Sequence, residues 1–517
     1  MNIRLWPRKI CPTSVAIALL VVVGGFLGPW CGALWGGTYT SAVGTITREE
    51  LRHHCEFLAS DALEGRETGS RGGQAAGDYI VAHLRKHKVR PAGAEGDYYQ
   101  PFPPNSRNIV CRLDGSDPSL AKEYVIVCAH YDHVGFGSAR NSRGPIGYIH
   151  NGADDNASGT AALLGLIDAF TSLDAAPRRS IVFVFWDAEE QGLLGSEYWC
   201  QSPTVPFEGL KLVLNIDMVG RLRENRAEVL GTRTAAGLRG LIAANNSESP
   251  VAMTFSWDNR RDSDHYPFFS RQIPYLMVFT GKHPDYHTPY DDVDKLNTEG
   301  MERITRLLFR TAYAAAQAPH LPAFRQNSMQ ESGTVKEQVE VPAALPPTRL
   351  GVTWDEPLAR RQVIQVIQTD PASPAEVAGM RGGDRILKFD GAAIHGVADI
   401  REAVCDSPPD TTAVIVHRGE TSPQTVQLHL LGPAQPIGLL CRNDDAEPGC
   451  LIISRVLPGS SAERAGLRLN DRIRKVDKQT VSTPQEFSNL LLGQPGPRSL
   501  QVERDGEVRT LQVKLPR

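Results

Sequence analysis

This chain has little surplus basic charge, few cysteines and no clustered thiolates. Lys and Arg number 55 against 59 Asp and Glu, for a net charge of −4. The basic footprint of a nucleic-acid-binding protein is therefore missing, and no nucleic-acid partner is expected. Nine cysteines in 517 residues include no C-x-x-C pair, which excludes zinc knuckles. Cys11 and Cys31 fall in the amino-terminal stretch, leaving seven: Cys55, Cys111, Cys128, Cys200, Cys405, Cys441 and Cys450. Seven is odd, so at least one stays unpaired in a monomer. Cys128 lies in an apolar run and reads as a small core residue. Cys441 and Cys450 flank the polar segment RNDDAEPG and could be bridged across a hairpin in an oxidising compartment.

Charge is also absent from 10–47, after a basic start at Arg4, Arg8 and Lys9. The apolar centre at 15–27 (VAIALLVVVGGFL) gives 1–37 the pattern of a signal peptide or membrane anchor. Gly24, Gly25 and Pro29 interrupt it, but it resumes over 30–35, so an uncleaved span of about 20 residues stays open beside cleavage. Either way the protein is expected to be exported: periplasmic, extracellular or anchored and facing outward. Hydrophobic content of 41% and charged content of 22% fit soluble globular units. The length suggests about three or four of them.

Four short β-branched or aromatic runs, 124–129 (YVIVCA), 180–186 (SIVFVFW), 210–216 (LKLVLNI) and 273–280 (IPYLMVFT), have the character of buried strands. Between the first two, 157–170 (ASGTAALLGLIDAF) has the spacing of a crossover helix. These elements predict an α/β fold over 46–319, with a central mixed, largely parallel sheet and helices on both faces. His130, the pair Glu189 and Glu190, and Asp217 follow the first three runs directly, and His287 follows the fourth after a loop. Ligands of open α/β sheets bind outside the carboxyl ends of the strands, so polar groups from four runs arrive at one edge.

The spacing of His130 and Asp132 places both on one side of a strand end, where an imidazole can bind metal while the carboxylate fixes its tautomer. By the same alternation His133 faces the wrong way. In 151–159 (NGADDNASG), Asp154 is the choice for a carboxylate bridging two cations, with Asp155 and Asn156 supporting the turn. Several acids directly after the most hydrophobic strand would repel one another unless cations offset them. Glu190 then reads as a ligand, and Glu189 as acceptor of a proton from water. Asp217 and His287 complete five candidate ligands, His130, Asp154, Glu190, Asp217 and His287. Asp264 and His265 read as supporting or substrate-facing.

A Pro-, Gln-, Glu- and Ala-rich linker is expected over 320–347, followed by a repeat. SPAEVAGMRGGDRILKFDG at 373–391 corresponds to SSAERAGLRLNDRIRKVDK at 460–478, an offset of 87. The copies, 348–432 and 433–517, resemble PDZ domains as arranged in bacterial periplasmic proteases. The resemblance implies two small β-rich domains. Their Gly351 and Gly438 loops would present N–H groups to a peptide carboxylate, so that protein C-termini or extended peptides add as edge strands. A spacer or docking role with a degenerate groove is the equal alternative.

The segments over 51–319 together resemble, in kind and order, the co-catalytic two-zinc aminopeptidase family, which includes relatives of glutamate carboxypeptidase and glutaminyl cyclase. The resemblance implies two Zn²⁺ per chain, with Mn²⁺ or Co²⁺ as substitutes. His130 and Asp217 would hold one, Glu190 and His287 the other, and Asp154 would lie between. It implies further that Glu189 is the general base, Asp132 orients His130 and Tyr286 polarises the scissile carbonyl. The expected activity is exopeptidase hydrolysis of peptide substrates, most simply as an aminopeptidase. Carboxypeptidase or glutaminyl-cyclase-like action on the same site, or a non-catalytic scaffold, are the alternatives.

Overall fold

Each of the four apolar runs becomes a strand of one sheet. The structure is a computed structural model that describes residues 37–346, 348–432, 434, 437–492 and 496–515. The expected leader, apart from Gly37, and its Cys11 and Cys31 lie outside the described residues. Among the described residues no helix is long and apolar enough to cross a membrane.

The strands are β1 (Arg90–Pro91), β2 (Tyr99–Phe102), β3 (Ser106–Leu113), β4 (Tyr124–His130), β5 (Ser180–Trp186), β6 (Leu210–Ile216), β7 (Arg226–Leu230), β8 (Ala252–Phe255) and β9 (Tyr275–Phe279). They run in the order β1-β3-β5-β4-β6-β9-β7-β8, with β2 paired to β3. The centre is parallel, β5 and β6 flanking β4 and β9 following β6. Toward the margins β3 and β7 pair antiparallel to β5 and β9. This is the mixed sheet expected from the run lengths.

The central strands read as unbroken apolar runs because both faces are covered. The helices are α1 (Gly37–Gly44), α2 (Arg48–Leu58), α3 (Arg71–Lys86), α4 (Gly159–Thr171), α5 (Leu194–Gln201), α6 (Leu238–Ala244), α7 (Tyr266–Ser270) and α8 (Thr298–Gln317). On one face Val125, Val127 and Ala129 of β4 join a cluster with Leu51 of α2, Ile80 of α3, Leu163 of α4 and Ile304 of α8. On the other, Ile126 and Cys128 join Trp199 of α5 and Phe268 of α7. Alternate residues of one strand thus feed two cores. Three of these helices start on a side-chain cap: Thr47 accepts from the Glu50 N–H, Ser70 from Gly73 and Asn297 from Gly300.

The repeat forms two further sheets of identical strand order. Val352 and Leu439, Ile364 and Leu451, Arg385 and Arg472, and Asp410 and Pro497 begin equivalent strands, each pair at the 87-residue offset. Each sheet has its own apolar core, one built around Phe389 and Ile415, the other around Ile473 and Leu500. Gly351 and Gly438 have φ of 75° and 68°, and a Cβ on either would lie 2.2 and 2.1 Å from the Cβ of Ser373 and Ser460. Both facts demand glycine at those turns.

The linker region is more ordered than its composition suggests. It contains short helical pieces at Gln326–Gln330 and Gly333–Val339, and Arg325 and Glu331 join a network with Arg233 and Asp444. The second repeat packs against α6 through buried ion pairs, Arg239 to Glu503 at 2.9 Å and, within the repeat, Arg472 to Glu447 at 2.9 Å. Cys441 and Cys450 are not bridged. The strand register sets Cys441 opposite Ile453, while the Cys450 thiol donates to the Glu447 carbonyl.

Candidate metal centre

The parallel strands end at one edge, and the expected polar groups gather there. His130 is the last residue of β4 and is buried, with Nε2 3.4 Å from Asp155 Oδ1 and 3.5 Å from Asp217 Oδ1. His287 Nε2 lies 2.9 Å from Asp155 Oδ2 and 3.2 Å from Glu190 Oε2. Its Nδ1–H donates to the Asn141 carbonyl at 2.8 Å, which turns the lone pair of Nε2 toward the acids. Two groups result, His130 with Asp155 and Asp217, and His133 with Asp155, Glu190 and His287. Asp155 belongs to both, one oxygen facing each.

Of the doublet, Asp155 and not the expected Asp154 faces both groups. The two sit in the wide helical turn Ala153–Ser158, but Asp155 leaves helical geometry at φ −105° and ψ 95°, so the adjacent side chains diverge. Asp154 points away from the cluster. Its Oδ1 accepts from the Gly220 N–H at 2.6 Å and its Oδ2 lies 3.2 Å from His283 Nε2. Asp291 Oδ2 accepts both the Asp154 and Asp155 N–H groups, at 2.9 and 3.1 Å, and fixes the turn.

His133 also departs from the alternation argument, because β4 ends at His130 and the chain beyond it no longer alternates. Its Nδ1 reaches to 2.8 Å from Glu190 Oε1. Asp132 sits beside His130 as expected, its carboxylate 3.6 Å and its carbonyl 3.3 Å from Nδ1. It does more than that, since its oxygens also accept the N–H groups of Glu189 and Glu190. Tyr286 stacks on His287 with centroids 3.9 Å apart, and Arg143 and Lys282 flank its ring at 4.8 and 4.5 Å. Glu189 and Tyr286 line one cavity with His130, Asp155 and Asp217.

Sequence reasoning gave no sign of Arg66, a fully buried guanidinium. It donates to the carbonyls of Leu58 and Asn151 at 2.6 Å and of Tyr131 and Gly152 at 3.0 Å. It thus ties the His130–His133 segment to the Asp155 turn, and burial holds it down to about 10. Asp264 and His265 prove to be supports. Asp264 accepts from the Ser196 hydroxyl, and His265 Nε2 lies 3.1 Å from the Arg260 carbonyl. Burial pushes Asp264 up to about 7 and His265 down to about 3.

The electrostatics describe a site built for cations. Burial opposes protonation of His130 and His287, yet the surrounding carboxylates win, holding His130 well above its ordinary value and His287 up to about 10. Burial likewise opposes charge on Asp155 and Glu190. The imidazoles outweigh it, keeping Asp155 well below the usual carboxylate range and Glu190 near about 2. Glu189 is pushed well above that range by burial and by the charges of Glu190, Asp264 and Asp217. Asp217 Oδ1 is buried with no hydrogen-bond partner among the described residues. An orphaned buried acceptor is costly, and this one belongs to the His130 group, where a cation would satisfy it. The set of imidazole and carboxylate, without thiolate, suits two neighbouring divalent transition-metal ions.

Comparison with known proteins agrees with this geometry. Residues 108–312 match Peptidase family M28, and 365–418 and 452–504 match the PDZ domain. The chain thus carries an M28 zinc exopeptidase-type domain followed by two PDZ domains. It is 26% identical over 232 residues to aminopeptidase YwaD of Bacillus subtilis, covering 43% of this chain and 45% of that one. It is 23% identical over 392 residues to leupeptin-inactivating enzyme 1 of Streptomyces exfoliatus, covering 68% and 82%. The chain spans less than half the length of the Bacillus relative. Among solved structures, the LapA aminopeptidase of Legionella pneumophila aligns at 20% identity and a TM-score of 0.44, covering 55% of this chain and 75% of that one.

Proposed function

We propose that this chain, an M28 peptidase domain followed by two PDZ domains, is an exported zinc aminopeptidase with a dinuclear site. The observation that carries the reading is Asp155, whose two oxygens face two separate groups of ligand atoms. His130, Asp155 and Asp217 would hold one zinc, and Asp155, Glu190 and His287 the other, with His133 braced on Glu190. When bound, two such ions lower the pKa of a shared water and polarise a carbonyl oxygen.

The remaining work belongs to the chain. Glu189 lines the cavity with His130, Asp155 and Asp217 without belonging to either group, which suits a general base that takes the proton of the attacking water and passes it to the leaving amine. Asp132 holds the Glu189–Glu190 backbone and the back of His130, a positioning function. Tyr286 lines the same cavity, and its hydroxyl would donate to the developing oxyanion. Met218, Leu230, Met277 and Phe279 line the same cavity together with the charged Glu228, Arg260, Asp262 and Lys282.

The PDZ domains would serve to recruit or present peptides. Their edge strands, Val352–Trp354 and Leu439–Arg442, follow Gly351 and Gly438 and, among the described residues, pair on one side only, which suits strand addition by a protein C-terminus. The divisions 46–319, 320–347, 348–432 and 433–517 belong to this proposal, as does export directed by 1–37.

Glu189→Gln tests the chemistry. The variant is expected to retain its metal and lose turnover, whereas turnover at the wild-type rate would remove Glu189 from the reaction. Blocked peptides test the direction. An aminopeptidase cleaves carboxyl-blocked peptides and spares amino-blocked ones, and the reverse pattern would make the enzyme a carboxypeptidase.

A further inference from the structure

A second gathering of metal-ligand side chains lies outside the site described above. His54 on α2, His83 on α3 and Asp168 on α4 place donor atoms within 4.8 Å of one another. His83 Nε2 is 2.7 Å from Asp168 Oδ1, and His87, just past the end of α3, brings its Nε2 to 3.3 Å from the same oxygen. His83 and His87 are one helical turn apart, the spacing with which two imidazoles share a cation. About 14 Å of helical rise separates Gly159, next to the Asp155 turn, from Asp168, so the cluster sits at the far end of α4.

A hydrogen-bonded His–Asp pair would need only one imidazole, and here three surround one carboxylate. His54 is the informative member. It is 3% exposed, its Nδ1 lies 2.7 Å from the Tyr79 hydroxyl, and its Nε2 has no hydrogen-bond partner among the described residues. A buried ring nitrogen left unpaired is costly. The cluster opens on a surface groove lined by Glu50, His53 and Lys86, which gives an ion a route in.

We propose that His54, His83 and Asp168, with His87 closing the fourth position, form a non-catalytic site for a divalent transition metal of the zinc class that clamps α2, α3 and α4 together. Imidazole and carboxylate donors in this ratio select such ions over calcium or magnesium. The Tyr79 hydroxyl fixes the His54 ring, as partners behind metal-bound histidines do. The proposal does not rest on the catalytic reading.

The test uses the untagged full-length chain, stripped with chelator, reloaded with Zn²⁺ alone and dialysed. Zinc per chain is then measured by mass spectrometry, and melting temperature is followed against Zn²⁺ concentration. His83→Gln/His87→Gln is expected to bind one zinc fewer than wild type and to lose part of the Zn²⁺-dependent rise in melting temperature, with peptide hydrolysis preserved. Asp168→Asn, which can still hydrogen-bond to His83, is expected to do the same. In an Asp155→Asn background the histidine-dependent zinc should persist, which separates failure here from failure of the catalytic assignment. Equal zinc content and equal thermal response in wild type and both variants would overturn the proposal.

Discussion

Replacing each member of the Asp154–Asp155 doublet by Asn separates two nearly identical sequence readings. Asp155 has an oxygen toward each ligand group, 3.4 Å from His130 Nε2 and 2.9 Å from His287 Nε2. Its amide analogue removes a unit charge from both cations and turns an NH₂ toward one of them. At an effective dielectric of about 20, one unit charge about 4 Å from another is worth about 4 kcal/mol, or about a thousandfold in affinity. Against a divalent ion the loss is larger. Asp154→Asn keeps an oxygen for the Gly220 N–H and loses only its charge beside His283. A change behind the ligands costs about 10–100-fold in metal affinity or activity. Both variants can be dialysed against graded chelator, with zinc per chain and hydrolysis of a carboxyl-blocked peptide measured at each step. Asp155→Asn should lose metal and activity at chelator levels that Asp154→Asn survives. If Asp154→Asn is the one stripped while Asp155→Asn stays loaded, the bridge has been misplaced.

Other consequences follow from buried groups. Arg66→Ala leaves four carbonyls without their donor; at about 1.5–3 kcal/mol per hydrogen bond to a charged group, denaturant melts should show a loss of several kcal/mol, and weakened zinc retention should accompany it. Phe183→Ala, in the fully buried centre of β5, should cost about 3–5 kcal/mol in the same assay with little change in metal content. Burial raises Glu447, but Arg472 and Arg239 outweigh it and hold its folded pKa below the carboxylate range. Its stabilisation is therefore present above the unfolded value of about 4.3 and is lost as pH falls through the lower folded value. Glu447→Gln should cost about 3–5 kcal/mol at neutral pH, and the gap to wild type should narrow in urea melts below about pH 4. A gap that stays constant with pH would mean the pair is not ionised.

Much of the sheet was legible because β4, β5 and β6 are buried on both faces, which forces uninterrupted apolar runs whose ends mark the site edge. His130, Glu190, Asp217 and His287 were found that way, and all four reach the cluster. Asp155 was not, because the doublet carries no signal for which carboxylate the turn directs inward; that depends on backbone angles fixed by Asp291, far along the chain. Strand alternation misplaces His133 because the rule stops applying where the strand stops. Arg66 has an unremarkable local context and acts only through carbonyls brought to it by the fold. The same holds for Arg239 and Glu503, whose pairing packs the second PDZ domain against α6 across more than half of the chain.

The central claim is a pair of divalent ions sharing Asp155, and anomalous diffraction at the zinc edge from crystals of the zinc-loaded protein tests it most directly. The account predicts two peaks about 3.5–4 Å apart, one beside His130 and Asp217, the other beside Glu190 and His287, with the Asp155 carboxylate between them. A single peak at that edge of the sheet, or two peaks not joined by Asp155, would contradict it.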